Sequence, residues 1–282
     1  MNVLLIGGSG QLGQEIRVRW TGHDVFAPSH AQAPIEDLAR VEDWIERSQA
    51  AVVVNCAAFH NVDVCETQSD QAFAINALAV DRIAALCERR GIVFVTISTD
   101  YVFDGNANEP YSESDCTNPI SCYGASKRAG ESLVLRRSMK AFVVRTCGVY
   151  GRFASKSKGT FVDRIIKQAR EGQAIRVVSD VVASPTYAGH LADALGKLVL
   201  TAEYGLYHAC NNGPVSWFAF AQAVLQHAGI DYPIEAIAAS DWKAAARRPV
   251  YSALSSAKLE RVGIVMPSWT DGIAAYLQDV AR

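Results

Sequence analysis

The sequence lacks long apolar runs and an excess of charge of either sign. Its most apolar stretch, residues 50–59, is too short to cross a bilayer and contains Asn55. Lys and Arg number 27 against 29 Asp and Glu, for a net charge of −2, whereas a protein that neutralises nucleic-acid phosphates needs a surplus of positive charge. These absences predict neither a membrane-spanning protein nor a nucleic-acid binder.

Disulfide and metal-ligand patterns are also missing. The seven cysteines include no CxxC pair, which argues against a zinc site and, with their odd number, against a disulfide framework. No basic segment follows Met1, and Gly7 and Gly8 interrupt the first apolar run, so we expect no signal peptide. We expect a cytoplasmic protein with reduced thiols and no catalytic metal, because the histidines lack paired metal-ligand spacing: they are His23, His30, His60, His190, His208 and His227.

Half of the 282 residues are apolar by type, which is enough for a large core. Up to about residue 145, short β-branched runs alternate with helical stretches, and the predicted strands are Val3–Ile6, Val25–Phe26, Val52–Val54, Val93–Ile97 and Phe142–Val144. A helix with apolar residues at helical spacing from Phe73 to Cys87 is expected to end at Gly91. This order predicts an α/β fold with a Rossmann-like, doubly wound parallel sheet.

The sequence pattern changes after Gly151: the predicted strands become shorter, and Gly and Pro become frequent in the loops. We interpret this part as a smaller α+β lobe. The predicted division gives residues 1–148 and about 173–198 to a dinucleotide-binding domain, and residues 149–172 and about 199–282 to a substrate-binding lobe.

A glycine-rich segment, GGSGQLG at residues 7–13, directly follows the first predicted strand and leads into a helical stretch over residues 11–20. Glycines let the backbone turn tightly and leave room for a pyrophosphate at the N-terminus of the next helix. Two spacings are present, GxGxxG at Gly8, Gly10 and Gly13 and GxxGxxG at Gly7, Gly10 and Gly13. The segment predicts a dinucleotide site.

The second predicted strand runs into Pro28, Ser29 and His30 without an acidic residue. Sites specific for NAD place a carboxylate there on the ribose 2′-hydroxyl, and that charge would repel a 2′-phosphate. Ser29 can donate a hydrogen bond and His30 can carry positive charge, so the sequence favours NADPH over NADH. Both residues are equally compatible with a plain turn.

A pair of residues suited to proton transfer lies at Tyr123 and Lys127, in the segment YGASK. Residues four apart share one face of a helix, so both side chains can point into one site. We expect the cation to lower the pKa of the phenol and so to ready it for exchanging a proton with a carbonyl oxygen. The same spacing also occurs by chance on surface helices.

Thr99 strengthens this interpretation because it lies in the segment STDYVFDG at the end of the fourth predicted strand. Ligands of parallel sheets bind beyond the carboxyl ends of the strands, so the Thr99 hydroxyl is expected to face the same carbonyl. A helix cap or Asx turn is the alternative role for this segment. Asn76 is interpreted either as a group that holds a water or backbone near the site or as a core residue with satisfied hydrogen bonds.

These motifs together with RTCGVYG at residues 145–151, SPTY at 184–187 and ARRPVYSAL at 246–254 resemble the extended short-chain dehydrogenases. Within that group the chain is most similar to the dTDP-4-dehydrorhamnose reductase family. The resemblance covers nearly the whole chain. It implies reduction of a 4-keto-6-deoxyhexose carried on a nucleoside diphosphate, with dTDP-4-dehydro-L-rhamnose as the expected substrate and NADPH, or else NADH, as the cofactor.

The resemblance also implies roles for individual residues. Tyr123 would donate the proton, Lys127 would tune it and hold the nicotinamide ribose, and Thr99 would polarise the ketone. Thr99, Asp100 and Tyr123 would contact the sugar. The residues expected to bind the cofactor are Gly7, Gly10, Gln11, Leu12, Gly13, Asp37, Leu38, Ala58, Phe59, His60, Tyr123 and Lys127, together with Ser29 and His30 from the argument on the ribose above.

Three positions depart from the family pattern. Gly148 stands where the family usually has a tryptophan, which leaves the hexose open. Ser29 stands where an acid is common, and His60 and Asn61 replace the usual Thr-Ala. His60 is interpreted mainly as an accommodated side chain, and secondarily as a new hydrogen-bonding group in the cleft.

The second lobe is expected to bind the diphosphate of the substrate. The basic candidates are Arg247, Arg248, Lys156 and Lys158, and Arg248 is the residue assigned to the substrate because Arg offers a fork for phosphate oxygens. A solvated surface charge is the alternative for each. The expected partner is the nucleotide sugar, and a homodimer is one allowed assembly.

Two other functions remain open. A nucleotide-sugar epimerase or dehydratase uses the same Tyr and Lys with a retained NAD, and Asp100 after Thr99 does not separate it from a reductase. The regulatory β-subunit of methionine adenosyltransferase is similar to these reductases and serves as a binding partner, since a fold does not fix a function.

Overall fold

A parallel sheet with helices on both faces forms the centre of the molecule, as seen in a computed structural model that describes residues 1–153, 159–242 and 244–281. The strands are β1 (Asn2–Ile6), β2 (Asp24–Phe26), β3 (Val52–Asn55), β4 (Val93–Thr99), β5 (Ala141–Thr146), β6 (Val149–Tyr150), β7 (Ile175–Val178), β8 (Val182–Ala183), β9 (Thr186–Tyr187), β10 (Gly205–His208), β11 (Val215–Ser216) and β12 (Ile234–Ile237). Six of them form the central sheet in the order β10-β5-β4-β3-β1-β2, with every neighbouring pair parallel. The predicted α/β fold with a doubly wound sheet is confirmed.

The helices connect these strands. They are α1 (Gln11–Arg19), α2 (Leu38–Ser48), α3 (Val62–Thr67), α4 (Ser69–Phe73), α5 (Val80–Arg90), α6 (Cys122–Arg137), α7 (Phe161–Arg170), α8 (Ala188–Leu198), α9 (Trp217–His227), α10 (Ala257–Arg261) and α11 (Trp269–Val280). A π-helical turn, Ala74–Ala79, joins α4 to α5, and α5 ends at Gly91, whose φ of 68° is left-handed. The helix predicted there is therefore confirmed.

Alternate residues of the central strands face two separate apolar layers, because successive side chains of a strand point to opposite faces. Leu5 packs in one layer with Ile16 of α1 and Leu195 of α8. Leu4 packs in the other layer with Ile83 of α5. All five side chains are buried, so the near-continuous apolar strands of the sequence follow from burial on both faces.

A smaller lobe contains α7, α9 and α11 around the parallel pair β7–β12. The predicted two-part division stays a prediction, but two strands do not follow its boundaries. β10 lies in the central sheet because its backbone pairs with β5, and β7 lies in the smaller lobe because it pairs with β12. Within the described residues, no helix combines the length and apolar character that crossing a membrane requires.

A buried ion pair fastens α6 to the central sheet. The guanidinium of Arg145 on β5 donates to both carboxylate oxygens of Glu131 on α6, at 2.8 and 2.7 Å. Ser98 on β4 donates to the same carboxylate at 2.6 Å. The side chains of Arg145 and Glu131 are only 3% and 2% exposed, so either charge alone would be strongly destabilising.

We predict that Arg145→Met lowers the free energy of unfolding by about 3–5 kcal/mol, because it leaves the Glu131 carboxylate buried without its cation. The control is Arg137→Met, which removes a partly exposed partner of Asp81 and should cost less than about 1 kcal/mol. Urea denaturation measures both values. Equal effects of the two substitutions would contradict the role given to the buried pair.

Candidate active site

The main cleft opens beyond the carboxyl ends of the central strands, where ligands of such sheets bind. It encloses about 650 Å³, within the ~300–1,000 Å³ range of ligand pockets. The lining residues that the sequence also predicted are Gly10, Gln11, Leu12, Gly13, Ala58, His60, Thr99, Asp100, Tyr123 and Lys127. Segments far apart in the chain are therefore brought together in one place.

The glycine-rich loop after β1 is shaped by close backbone contacts. Gly7 has a φ of +79°, and a Cβ on it would lie 2.6 Å from the backbone nitrogen of Ala57. A Cβ on Gly13 would lie 2.4 Å from the carbonyl oxygen of Gly7, whereas one on Gly10 would meet only that same oxygen, at 3.4 Å. A Cβ on Gly8 would lie 2.7 Å from Cβ of Ala27. Gly7, Gly8 and Gly13 thus permit the packing of the loop, and Gly10 faces open space.

The loop ends at the N-terminus of α1, which suits an anion. Gly10 is the N-cap and supplies no side-chain hydrogen bond to the first N–H groups, which leaves them available to phosphate oxygens. The buried Oε1 of Gln11 also has no hydrogen-bond partner among the described atoms. Free backbone donors and the space over Gly10 fit the pyrophosphate of a dinucleotide.

The loop after β2 carries the residues predicted to select the ribose. Ser29 uses its backbone N–H and hydroxyl to donate to Oε1 of Gln32, at 2.9 and 3.0 Å, which is a local turn contact. Arg40, which the sequence reasoning missed, donates to the carbonyl of Ala31 at 2.7 Å and pairs with Asp37 at 3.2 Å. Arg40 brings a positive charge to this loop. Ser29, His30, Asp37 and Leu38 are not among the residues that line the main cleft.

Asn76 holds the loop after β3 against α6. Its amide accepts from the N–H of Phe59 at 2.9 Å, donates to the carbonyl of Phe59 at 3.0 Å and donates to the hydroxyl of Ser126 at 3.0 Å. This residue is therefore a satisfied core asparagine that also positions backbone beside the cleft, so both interpretations of Asn76 apply. Ala58 and His60 of the same loop line the cleft.

Tyr123 lies in the first turn of α6, which begins after the N-cap Ser121. A Cβ on the neighbouring Gly124 would lie 2.1 Å from the carbonyl oxygen of Tyr101, so α6 approaches the end of β4 closely. Burial raises the pKa of Tyr123 above its ordinary value, the charge of Asp100 adds to the rise, and a hydrogen bond with Thr99 opposes it. The expectation that Lys127 lowers this pKa is wrong for the structure as it stands.

Lys127 lies one turn further along α6 and turns its ammonium away from solvent. Its Nζ donates to the carbonyl of Ile97 on β4 at 2.7 Å. Burial lowers the pKa of Lys127 to about 8, and the nearby groups of Glu131 and Cys56 oppose this shift. Lys127 is not among the groups that shift the pKa of Tyr123, and burial is the largest cause of that shift.

Thr99 ends β4 in a polar cluster at the base of the cleft. Its hydroxyl donates to Oδ1 of Asp100 at 3.0 Å and accepts from the N–H of Tyr101 at 3.2 Å. Asp100 is 4% exposed, and burial raises its pKa despite hydrogen bonds from Ser252, Cys147 and Thr99. Thr99 therefore serves both as the cap of the next turn and as a cleft residue.

A second pocket of about 540 Å³ adjoins the cleft, and Tyr101 lines both. Four arginines line it: Arg164, Arg176, Arg247 and Arg248. Arg248, which was predicted to bind phosphate, is already paired with a carboxylate: its guanidinium donates to Asp63 at 3.2 and 2.8 Å. This contact holds the pKa of Asp63 below its ordinary value. Arg248 thus joins the segment before Pro249 to α3.

The remaining arginines of this pocket differ in their partners. Arg176 pairs with Glu235 at 3.3 Å, whereas no described carboxylate forms an ion pair with Arg164 or Arg247. Arg164 was not predicted from the sequence. The one sequence feature that could have indicated it is its place, as a basic residue, near the start of a helix with a capping box at Thr160. Lys156 and Lys158 lie outside the described residues.

No cluster of three or more His, Cys, Asp or Glu side chains suited to a metal ion occurs in the part of the chain that the structure describes. His208 is enclosed: its Nδ1 lies 3.1 Å from the carbonyl oxygen of Tyr111, and burial lowers its pKa to about 3. His60 is exposed, and its Nδ1 lies 3.4 Å from the carbonyl oxygen of Ala58. Tyr123, Lys127 and Thr99, which line the cleft together, stay the predicted catalytic residues.

Known proteins resemble this chain over almost its whole length. It is 37% identical over 279 residues to the spore coat polysaccharide biosynthesis protein SpsK of Bacillus subtilis, covering 98% of this chain and 97% of the relative. It is 35% identical over 284 residues to a dTDP-4-dehydrorhamnose reductase of Mycobacterium tuberculosis, covering 98% and 92%. The crystal structure of a dTDP-4-dehydrorhamnose reductase from Bacillus anthracis in complex with NADP has a TM-score of 0.93 and 34% identity, covering 98% of both chains.

The sequence model of the family described as RmlD substrate binding domain matches residues 1–282. The resemblance inferred from the motifs is thereby confirmed. This chain belongs to the RmlD substrate binding domain family.

Proposed function

We propose that this protein reduces the 4-keto group of a nucleotide-activated 6-deoxyhexose with NADPH, and that it converts dTDP-4-dehydro-L-rhamnose to dTDP-L-rhamnose. The observation that carries this proposal is the meeting of Tyr123, Lys127 and Thr99 in a cleft that begins at the glycine loop of residues 7–13. Relatives named dTDP-4-dehydrorhamnose reductase, and one of them in complex with NADP, support the same activity.

A bound reduced nicotinamide would supply the hydride that reaches the carbonyl carbon. Tyr123 completes the balance: its O–H bond breaks, the proton forms a new bond to the carbonyl oxygen, and a phenolate remains that solvent reprotonates. The raised pKa of Tyr123 keeps this proton on the phenol at neutral pH. Lys127 does not set the pKa of the resting phenol, but its positive charge would stabilise the negative charge that develops on Tyr123 during the reaction. Thr99 lines the same cleft.

The cofactor roles follow the shape of the cleft. Gly7, Gly10 and Gly13 with Gln11 and Leu12 surround the proposed pyrophosphate position at the start of α1. The family resemblance further proposes Ala58, Phe59 and His60 along the cofactor and Asp37 and Leu38 by the adenine. The lack of an acid after β2 adds Ser29 and His30 by the ribose.

The pocket lined by arginines is the proposed site of the substrate diphosphate. Arg164 and Arg247 are exposed and have no described carboxylate partner, so their forks are available to phosphate oxygens. Arg248 would act there while paired with Asp63, which fixes its guanidinium at the edge of Tyr101. The diphosphate would in this way lie next to the residues that touch the sugar.

The free thiols of Cys56, Cys65, Cys87, Cys116, Cys122, Cys147 and Cys210 support a reducing, cytoplasmic location. The homodimer stays a prediction from the sequence.

Replacing Tyr123 with Phe should remove the proton donor and leave the ring in place. We expect NADPH oxidation with dTDP-4-dehydrorhamnose to fall by about 10²–10⁴-fold, the range for loss of a general acid, with unchanged affinity for NADPH. Stopped-flow absorbance and fluorescence titration measure the two quantities. The matched control is Tyr232→Phe, a tyrosine outside both pockets.

Equal turnover in the wild type and Tyr123→Phe would overturn the mechanism. No NADPH oxidation by the wild type with keto-sugars would overturn the function. A dinucleotide retained through purification would then indicate an epimerase or dehydratase. Co-purification with a synthetase would indicate a regulatory subunit.

The pH dependence should follow Lys127. Its pKa is lowered to about 8, so the ammonium that favours the phenolate is present below pH 8 and is lost as the pH rises through that value. We expect kcat/KM for the keto-sugar to be level below pH 8 and to decline above it. Lys127→Met should be slow throughout and lack this decline. A wild-type profile that stays level well above pH 8 would show that Lys127 does not act through its charge.

The preference for NADPH should depend on the absence of an acid after β2. A carboxylate at Ser29 would repel the 2′-phosphate, so Ser29→Asp should lower the ratio of kcat/KM for NADPH over NADH about tenfold, whereas neutral Ser29→Asn should leave it nearly unchanged. Initial rates with each cofactor measure the ratio. A wild-type ratio that favours NADH tenfold would contradict the proposed cofactor.

A further inference from the structure

The cleft and the arginine pocket adjoin at one narrow place. Tyr101 lines both. Gly148 lines the cleft and Trp217, the first residue of α9, lines the arginine pocket. A substrate whose reacting carbon lies at Tyr123 and whose phosphates lie among the arginines must place its sugar ring at this junction.

Gly148 and the indole of Trp217 are in direct contact there. A Cβ on Gly148 would lie 3.0 Å from Cη2 and 3.3 Å from Cζ2 of Trp217, and 3.3 Å from Cα of Pro185. The φ of Gly148 is +52°, in the left-handed region that favours glycine. The indole therefore occupies space that any side chain at position 148 would take.

The indole is held in this position from several sides. The backbone N–H of Trp217 donates to the carbonyl of Val181 at 3.1 Å, and Ser216 caps α9 through the backbone N–H of Ala219, so the start of α9 is fixed. The rings of Phe161 and Phe220 pack against the indole with centroids at 4.8 and 5.9 Å. Trp217 remains only partly buried, so a supported aromatic surface faces the pocket.

We propose that Trp217 is the surface on which the hexose ring of the substrate packs, and that Gly148 determines specificity by leaving room for the indole. This inference rests on the proposed function and adds the residue pair that reads the sugar. A 6-deoxyhexose carries a methyl group and C–H bonds that suit an aromatic face, because burying them against it removes apolar surface from water.

The test separates binding of the sugar from binding of the nucleotide. Calorimetry in the presence of NADP⁺ measures the affinity of each variant for dTDP and for dTDP-L-rhamnose. The Kd for dTDP divided by the Kd for dTDP-L-rhamnose reports the contribution of the sugar alone. We expect Trp217→Ala to weaken the binding of dTDP-L-rhamnose about tenfold with little change in the binding of dTDP. Trp217→Phe should give a ratio between those of Trp217→Ala and the wild type. Trp44→Ala is the matched control and should leave the ratio unchanged, because Trp44 is also partly buried and lines neither pocket.

A double substitution distinguishes displacement of the indole from strain at the glycine. Gly148→Ala should also lower the ratio, because its methyl group presses on the indole, and this effect should disappear in the Trp217→Ala background. Circular dichroism confirms that each variant is folded.

Equal weakening of both ligands by Trp217→Ala would assign the indole to the nucleotide and overturn the inference, as would an unchanged ratio. If the wild type reduces the keto-sugar while either result is found, only this inference fails. A wild type that binds neither dTDP nor dTDP-L-rhamnose overturns the proposed function together with it.

Discussion

The structure of the site depends on the buried ion pair between Glu131 of α6 and Arg145 of β5, which Ser98 of β4 joins. A buried carboxylate without its cation is strongly unfavourable, so the pair fixes where α6 lies on the sheet. The same helix carries Tyr123 and Lys127, and Ser98 immediately precedes Thr99. One polar contact beneath the cleft thus sets the relative positions of the three residues proposed to act on the carbonyl.

Positive charge is concentrated at one place in this molecule, the pocket lined by four arginines. The net charge of −2 is compatible with two anionic ligands, because the proposed pyrophosphate site uses backbone N–H groups at the start of α1 and the arginine pocket concentrates positive charge at a single place. Asp63 and Arg248 connect α3 to the edge of that pocket. The junction between the two anion sites is lined by Tyr101, Gly148 and Trp217, which are uncharged.

Local patterns predicted the fold well because they report local physics. The β-branched runs became the strands of the central sheet, and Gly91 ended its helix with a left-handed φ. The prediction was wrong about the pKa of Tyr123, because the i, i+4 spacing places Lys127 on the same helix face but does not reveal that burial of the phenol governs its pKa. The pairing of Arg248 with Asp63 joins residues far apart in the chain and has no local signal.

Local spacing was enough to predict the parallel α/β fold, the glycine loop and the candidates Thr99, Tyr123 and Lys127, since each pattern lies within one strand, turn or helix. Packing between distant segments showed which glycines shape the loop, which arginines have no carboxylate partner among the described residues and that Trp217 fills the space beside Gly148. Those outcomes depend on distances between side chains from different elements. Burial and packing set these distances, and they cannot be deduced from the spacing of residues along the sequence.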